Sequence, residues 1–252
     1  MHVIAVLDTL AGASTDLMEE AGRDFIGSHK SKEVERKEWN MIAPIVEEYG
    51  LAAAQDLRAV MQGRVVLAGD AAYSDVRSIF NGAITRQPAL FALCETTEDV
   101  QAAVRIARSH KLPLSVRGGG HDWAGRALRD GALVIDLTRM RQVEVDAVGR
   151  TATVAGGATA RDVSAAVPHG LAALTGNVGA VGMGGFLLGG GYSHLSTRFG
   201  LAVDNLLGAE VVLADGRLVW TDKSQNEDLF WAIRGGGGNF GVITSIGFAC
   251  TP

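Results

Sequence analysis

Three consecutive glycines, Gly118-Gly119-Gly120, close the apolar segment Leu112 to Val116 and its Arg117, and His121 follows at once. Without Cβ atoms such a run can take positive φ at no steric cost. Its successive N–H groups can point the same way and form a concave nest for an anion. The apolar segment reads as a strand, so an anion cradle is expected at a strand end with an imidazole beside it. A tight surface turn followed by an incidental polar histidine would use the same residues. The run alone leaves both readings open.

The rest of the glycine content bears on that choice. There are 33 glycines in 252 residues, about 13 % against a typical ~7 %. They are clustered without a Gly-X-Y period, which excludes collagen. A second cluster runs from Gly176 to Gly191, and a third is Gly235-Gly236-Gly237-Gly238. Neither fits a dinucleotide turn: Leu187 stands where Gly182-Met183-Gly184 would need its third glycine, and Phe240 where the Gly235 run would. The sequence contains no P-loop and no G-x-S-x-G elbow. What remains is an elongated ligand under backbone contact at several separated places. It would be long, flat and partly anionic, as a flavin dinucleotide is.

Charge and cysteine usage narrow the partners. The formal net charge is −5 and no long basic run occurs, which argues against a nucleic-acid partner. A bound phosphate is expected to be held by backbone dipoles rather than by a lysine cluster. Cys94 and Cys250 are far apart and form neither a disulfide framework nor a zinc pattern. The six histidines show no metal-binding spacing, so no metal is expected. No apolar run is long enough for a membrane span. Val3 to Leu7 is apolar, but no basic region precedes it and Asp8 follows, a poor secretory signal. The expectation is a cytoplasmic protein with no membrane contact.

Residues 1–62 read as a helical N-terminal extension, with Pro44 kinking it and Gly63 closing it. From Arg64 the texture becomes α+β. Val65 to Leu67, Pro88 to Leu93, Leu112 to Val116 and Leu133 to Leu137 read as strands, and Asp75 to Phe80 as one or two helical turns. A helix from Glu98 to His110 is capped by Thr96 or Thr97, with Val100, Val104, Ile106 and Ala107 facing a sheet. Strand, helix, strand implies a parallel crossover. The remainder reads as antiparallel. One hairpin joins Val143 to Val145 with Thr151 to Val154; another joins Glu210 to Leu213 with Arg217 to Trp220 through Asp215-Gly216. Helices are expected at Ala160 to Val167 and Asp228 to Arg234, and a strand at Val242 to Ile246. The division expected is subdomain 1 at about 63–140 and subdomain 2 at about 141–252.

Three stretches together resemble one family: Val116-Arg117-Gly118-Gly119-Gly120-His121, then Asp204 to Val212, then Asp228-Leu229-Phe230-Trp231-Ala232-Ile233-Arg234-Gly235 through Val242. They are similar to the berberine-bridge-enzyme-like oxidases of the vanillyl-alcohol-oxidase class. The likeness runs from about Gly63 to Pro252. It implies a PCMH-type FAD-binding domain of two α+β subdomains, with the cofactor between them. It implies that Arg117, Gly118, Gly119, Gly120 and His121 wrap the pyrophosphate, that Asp122 and Gly125 also belong to the cofactor site, and that His121 carries the flavin covalently. It also implies that Val178, Gly179, Val181, Gly182, Gly184, Gly185, Gly189, Gly190, Gly191 and Tyr192 pass close to the isoalloxazine and ribityl chain. Gly238, Asn239 and Val242 would form a further wall.

Two departures accompany the resemblance. Val178 falls where many members have a second, cysteinyl attachment, so a single link through His121 is implied. Members usually continue well beyond Pro252, and that portion supplies the substrate sheet and often the catalytic base. No catalytic base is therefore assigned; Tyr192 and His194 are the side chains near the flavin motif that could move a proton. The function implied is an FAD-dependent oxidoreductase, or its flavin-binding half, passing hydride from an organic substrate to covalent FAD and on to O₂ or another acceptor. The alternative is a non-catalytic or partner-dependent FAD-binding subunit, with a second chain or self-association covering the face of the missing substrate domain.

Overall fold

The computed structural model describes residues 50–252. The helices expected before residue 50 lie outside the described residues. In chain order the elements are α1 (described over 50–60), β1 (Arg64–Leu67), α2 (Tyr73–Arg77), β2 (Leu90–Leu93), α3 (Thr97–Ser109), β3 (Leu114–Arg117) and β4 (Leu133–Asp136). There follow β5 (Val143–Asp146), β6 (Thr151–Ala155), α4 (Ala160–Ala166), α5 (Met183–Leu188), α6 (Ser196–Phe199), β7 (Leu206–Val212), β8 (Leu218–Asp222), α7 (Glu227–Ile233) and β9 (Val242–Ala249).

The first sheet has the order β1-β2-β4-β3. β2 and β3 both run parallel to β4, and β1 is antiparallel to β2. The crossover between β2 and β3 is therefore parallel, as the strand–helix–strand pattern predicts, but the two strands are not neighbours: β4 lies between them. No local signal in the sequence specifies that insertion. Every residue of β2 and β4 is buried, which explains their unbroken apolar runs rather than alternation.

α3 is the hinge of the architecture. Thr96 caps it, its side chain accepting from the Asp99 N–H at 3.2 Å. Val100, Ala103, Val104 and Ala107 are buried at helical spacing, while Ile106 packs half-buried beside them. That face joins one core containing Leu90, Leu133 and Ile135 of the first sheet and Val212 and Val242 of the second. Asp99 turns inward, 1 % exposed. Its carboxylate accepts the N–H groups of Gln62 at 2.8 Å, Gly63 at 3.0 Å and Glu95 at 2.9 Å. It thus ties the end of α1 to the start of α3.

The second sheet, ordered β5-β6-β9-β7-β8, is antiparallel throughout. Both predicted hairpins form, though β7 begins earlier than expected, at Leu206, and β8 runs to Asp222. Gly216 takes φ +80° in the Asp-Gly turn. Its carbonyl accepts from Gln101 at 2.7 Å and Arg105 at 2.9 Å, so α3 clamps the tip of the hairpin. The two α+β units share this helix.

Candidate functional site

The glycine turn leaves the carboxyl end of β3, the end where open α/β sheets place ligands. Its Gly119 lies against the second glycine cluster. An added Cβ at Gly119 would fall 2.3 Å from the Gly182 nitrogen and 2.7 Å from the Ala180 carbonyl oxygen. The two loops thus meet backbone to backbone. Behind them is a cleft of about 230 Å³ lined by Gly118, Gly119, Thr138, Arg141, Gly157, Thr159, Arg161, Gly179 and Ala180. A more open hollow of about 400 Å³ continues past Arg161 and Gly179 toward Ser164 and Asn177.

Two arginines and no lysine line the cleft, and neither arginine was among the residues singled out in the sequence. Arg141 is already engaged: its Nε and Nη2 meet the Asp162 carboxylate at 3.0 and 2.6 Å. Asp162 also accepts from the N–H and hydroxyl of Thr159, at 2.8 and 2.7 Å, closing the start of α4. Burial works to raise the Asp162 carboxyl, but the hydrogen bonds from Arg141 and Thr159 outweigh it and hold its pKa at about 2. Arg161, by contrast, makes no ion pair or side-chain hydrogen bond among the described residues. Arg141 and Arg161 sit on opposite sides of a hairpin, so only the Thr159-x-x-Asp162 pattern marked this place in the sequence.

Arg117 is turned to structure rather than to the cleft. Its guanidinium donates to the carbonyls of Val76 and Ser78 and sits 3.4 Å from the buried Asp136 carboxylate. What it offers a ligand is therefore its backbone. Gly120 takes φ +66°, a turn open to glycine. His121 follows, half-buried, with its ring stacked on Phe80. Asp122 accepts from the N–H and side chain of Arg126 at 2.8 and 2.7 Å.

The remaining expected residues divide. Gly179 lines the cleft and Gly182 closes it. Val181 donates its N–H to Val178 at 3.0 Å, and Val178 is half exposed. Met183 to Leu188 forms helix α5, which the density of glycines hid. Gly184 lets that helix approach the Gly156 carbonyl, to 3.2 Å from an added Cβ. Gly185 faces open space, with nothing within 4 Å of an added Cβ. Gly189 ends the helix, and Gly190 and Gly191 take φ +101° and +70°. Tyr192 is exposed. Gly238 and Asn239 form a 3₁₀ turn whose Asn239 amide donates to Gly236 at 2.8 Å.

At three positions the space a side chain occupies, or would occupy, is filled by packing. An added Cβ at Gly125 would meet Ile84 at 2.7 Å, and one at Gly191 would meet Ala202 at 2.6 Å. The Val242 side chain is buried in the core shared with Val212.

The family model described as FAD binding domain matches residues 88–222. The chain belongs to this FAD-binding-domain family. The cleft lining fits the diphosphate of such a ligand: Gly118, Gly119 and Gly179 put no Cβ into the space, and Arg141 and Arg161 line it beside them. Among curated relatives, (R)-6-hydroxynicotine oxidase of Paenarthrobacter nicotinovorans is 40 % identical over 187 residues, covering 74 % of this chain and 41 % of its own length. The solved berberine-bridge-enzyme-like protein 1 of Physcomitrella patens superposes with TM-score 0.74 at 32 % identity, covering 79 % of this chain and 44 % of its own. The glucooligosaccharide oxidase of Acremonium strictum, described with a 6-S-cysteinyl, 8α-N1-histidyl FAD, superposes with TM-score 0.73 at 34 % identity. That match covers 78 % of this chain and 42 % of the oxidase. The chain thus spans about two fifths of the length of these relatives. As an FAD-binding domain it places its glycine turn and His121 at one sheet end. Among the described residues, no cluster of His, Cys, Asp and Glu side chains could hold a metal ion.

Proposed function

We propose that this FAD-binding domain serves an oxidoreductase that removes hydride from a small organic substrate, and that His121 is the single covalent attachment of its FAD. The observation that carries the reading is the cleft where Gly118-Gly119 and Gly179-Ala180 face each other, with Arg141 and Arg161 beside them. When bound, FAD supplies a two-electron acceptor for the substrate C–H bond and hands the electrons to O₂ or another acceptor.

The chain's own residues bind and orient. Gly118, Gly119 and Gly179 bring bare backbone to a diphosphate. Arg161 supplies a cation that has no ion-pair partner among the described residues, and Arg141 a fixed one, its fork held by Asp162. Gly185 leaves flat room beside α5 for a ring system. His121 brings an imidazole to the mouth of the turn, and a neutral imidazole is a competent nucleophile. Val178 offers no thiol for a second link.

Acid precipitation tests the attachment. Flavin is expected in the wild-type pellet and in the supernatant of His121→Ala. Flavin in the His121→Ala pellet, or none in the wild-type pellet, would remove His121 from this role. Protein without FAD in either fraction would sink the oxidoreductase reading itself.

A further inference from the structure

Phe80 is a large apolar side chain that does not join the core. Its neighbours Ile79 and Ile84 pack against the cluster built on Val66, Phe91 and Val134. Phe80 points elsewhere and remains 52 % exposed. Its ring lies on the imidazole of His121, with centroids 4.0 Å apart and planes inclined by 20°. Trp123 meets Phe80 edge-on at 5.4 Å and 90°. Offset-stacked and edge-to-face pairs of this kind have a preferred geometry, so they orient as well as bury.

The backbone enforces the arrangement. The Phe80 N–H donates to the Gly120 carbonyl at 3.1 Å. The Asn81 side-chain amide donates to the Trp123 carbonyl at 2.8 Å. These two bonds fall on either side of His121. Further back, Arg117 donates to the carbonyls of Val76 and Ser78. Residues 76–81 therefore run alongside residues 117–123 as a splint, with Phe80 laid over the one ring that matters.

We propose that Phe80 is a positioning residue for the attachment of FAD to His121, holding the imidazole plane so that a ring nitrogen faces the flavin 8α carbon. The inference rests on the reading of His121 as the attachment point. In that attachment a bond forms between the imidazole nitrogen and the 8α carbon. One 8α C–H bond and the imidazole N–H bond break. Two protons and one electron pair are released to the isoalloxazine, and dioxygen, a two-electron acceptor, takes them up as hydrogen peroxide. The protein's contribution is placement of the nitrogen, and such steps slow steeply when a reacting atom is displaced.

The test uses protein produced under riboflavin limitation and then given FAD. Total bound flavin and acid-precipitable flavin are followed over time in wild type, Phe80→Leu, Phe80→Tyr and His121→Ala. Leucine keeps the apolar bulk and the backbone bond but cannot stack; tyrosine can. Phe80→Leu is expected to bind FAD as wild type does and to fix it about tenfold more slowly, with Phe80→Tyr restoring the rate. Fixation at the wild-type rate in Phe80→Leu would overturn the proposal. So would loss of both FAD binding and the thermal transition in Phe80→Leu, which would make Phe80 a fold residue. Wild type that binds FAD but fixes none would overturn the attachment reading, and this proposal with it, whereas slow fixation in Phe80→Leu alone supports both.

Discussion

Gly119 and Gly182 occupy each other's side-chain space: a Cβ on the first would lie 2.3 Å from the nitrogen of the second, and a Cβ on the second 2.4 Å from the nitrogen of the first. Neither clash can be relieved by turning a side chain, because both obstacles are backbone. Gly119→Ala should therefore part the two loops, at a cost of about 1–3 kcal/mol for an overpacked site. Gly185→Ala is the contrast. Nothing lies within 4 Å of its added Cβ, and the residue is helical. Alanine there favours the helix by about 0.8–1 kcal/mol. Thermal melting should show Gly119→Ala lowered and Gly185→Ala unchanged or raised, while FAD titration shows Gly185→Ala weakened. Full FAD affinity in Gly185→Ala would take Gly185 off the cofactor wall.

Arg161 and Arg141 share the cleft but differ in their commitments, and their variants should differ accordingly. In a His121→Ala background, where binding is reversible, Arg161→Gln should weaken FAD by about tenfold or more, as loss of a charged hydrogen bond does. Arg141→Gln should also lower the melting temperature, because it strips Asp162 of its bidentate partner. Equal FAD affinity with and without Arg161→Gln, read by fluorescence titration in that background, would place the diphosphate elsewhere.

The Asp162 carboxyl gives a pH signature. Its folded pKa, about 2, lies below its ordinary value of 3.8. A depressed carboxyl stabilises the fold above the ordinary value, and that contribution is lost as pH falls through the folded value. Asp162→Asn should cost about 1 kcal/mol at pH 7 through the lost cap and ion pair. The gap between the two melting curves should narrow between pH about 4 and about 2. A gap that stays constant over that range would mean the carboxylate's charge contributes nothing to the fold.

Val178 is half exposed beside the cleft-lining Gly179. If its loop faces the ring, a thiol there should take over attachment. Val178→Cys in the His121→Ala background is expected to return flavin to the acid pellet. A flavin-free pellet would mean that the loop does not present residue 178 to the ring.

Much of the fold is legible in the sequence because it rests on local periodicity. The buried runs of β2 and β4, the spaced apolar face of α3 and the Asp215-Gly216 turn each announce themselves within a few residues. The glycine turn before His121 and its counterpart around Gly182 are legible for the same reason. What was not legible depends on partners distant in the chain. β4 enters between two strands already made. α5 forms despite Gly184 and Gly185, because Met183 and Leu187 are buried and Gly184 can approach Gly156. Arg161 and Phe80 gain meaning only from what the fold sets beside them. At Gly125, Gly191 and Val242 the side-chain space is taken up by packing, which leaves the backbone as the part that could meet a cofactor.

The place of β4 also orders events during synthesis. β3, which carries the glycine turn, has β4 as its sheet neighbour and, among the described residues, no strand on its other side. As the chain leaves the ribosome, β2, α3 and β3 emerge before the strand that joins them. The turn has no secured base until residues 133–136 arrive, and no opposing loop until residues 179–182 follow. The nascent protein therefore carries its first glycine turn before the loop that faces it exists. The cradle of facing glycine loops is complete only once residues 179–182 have been made.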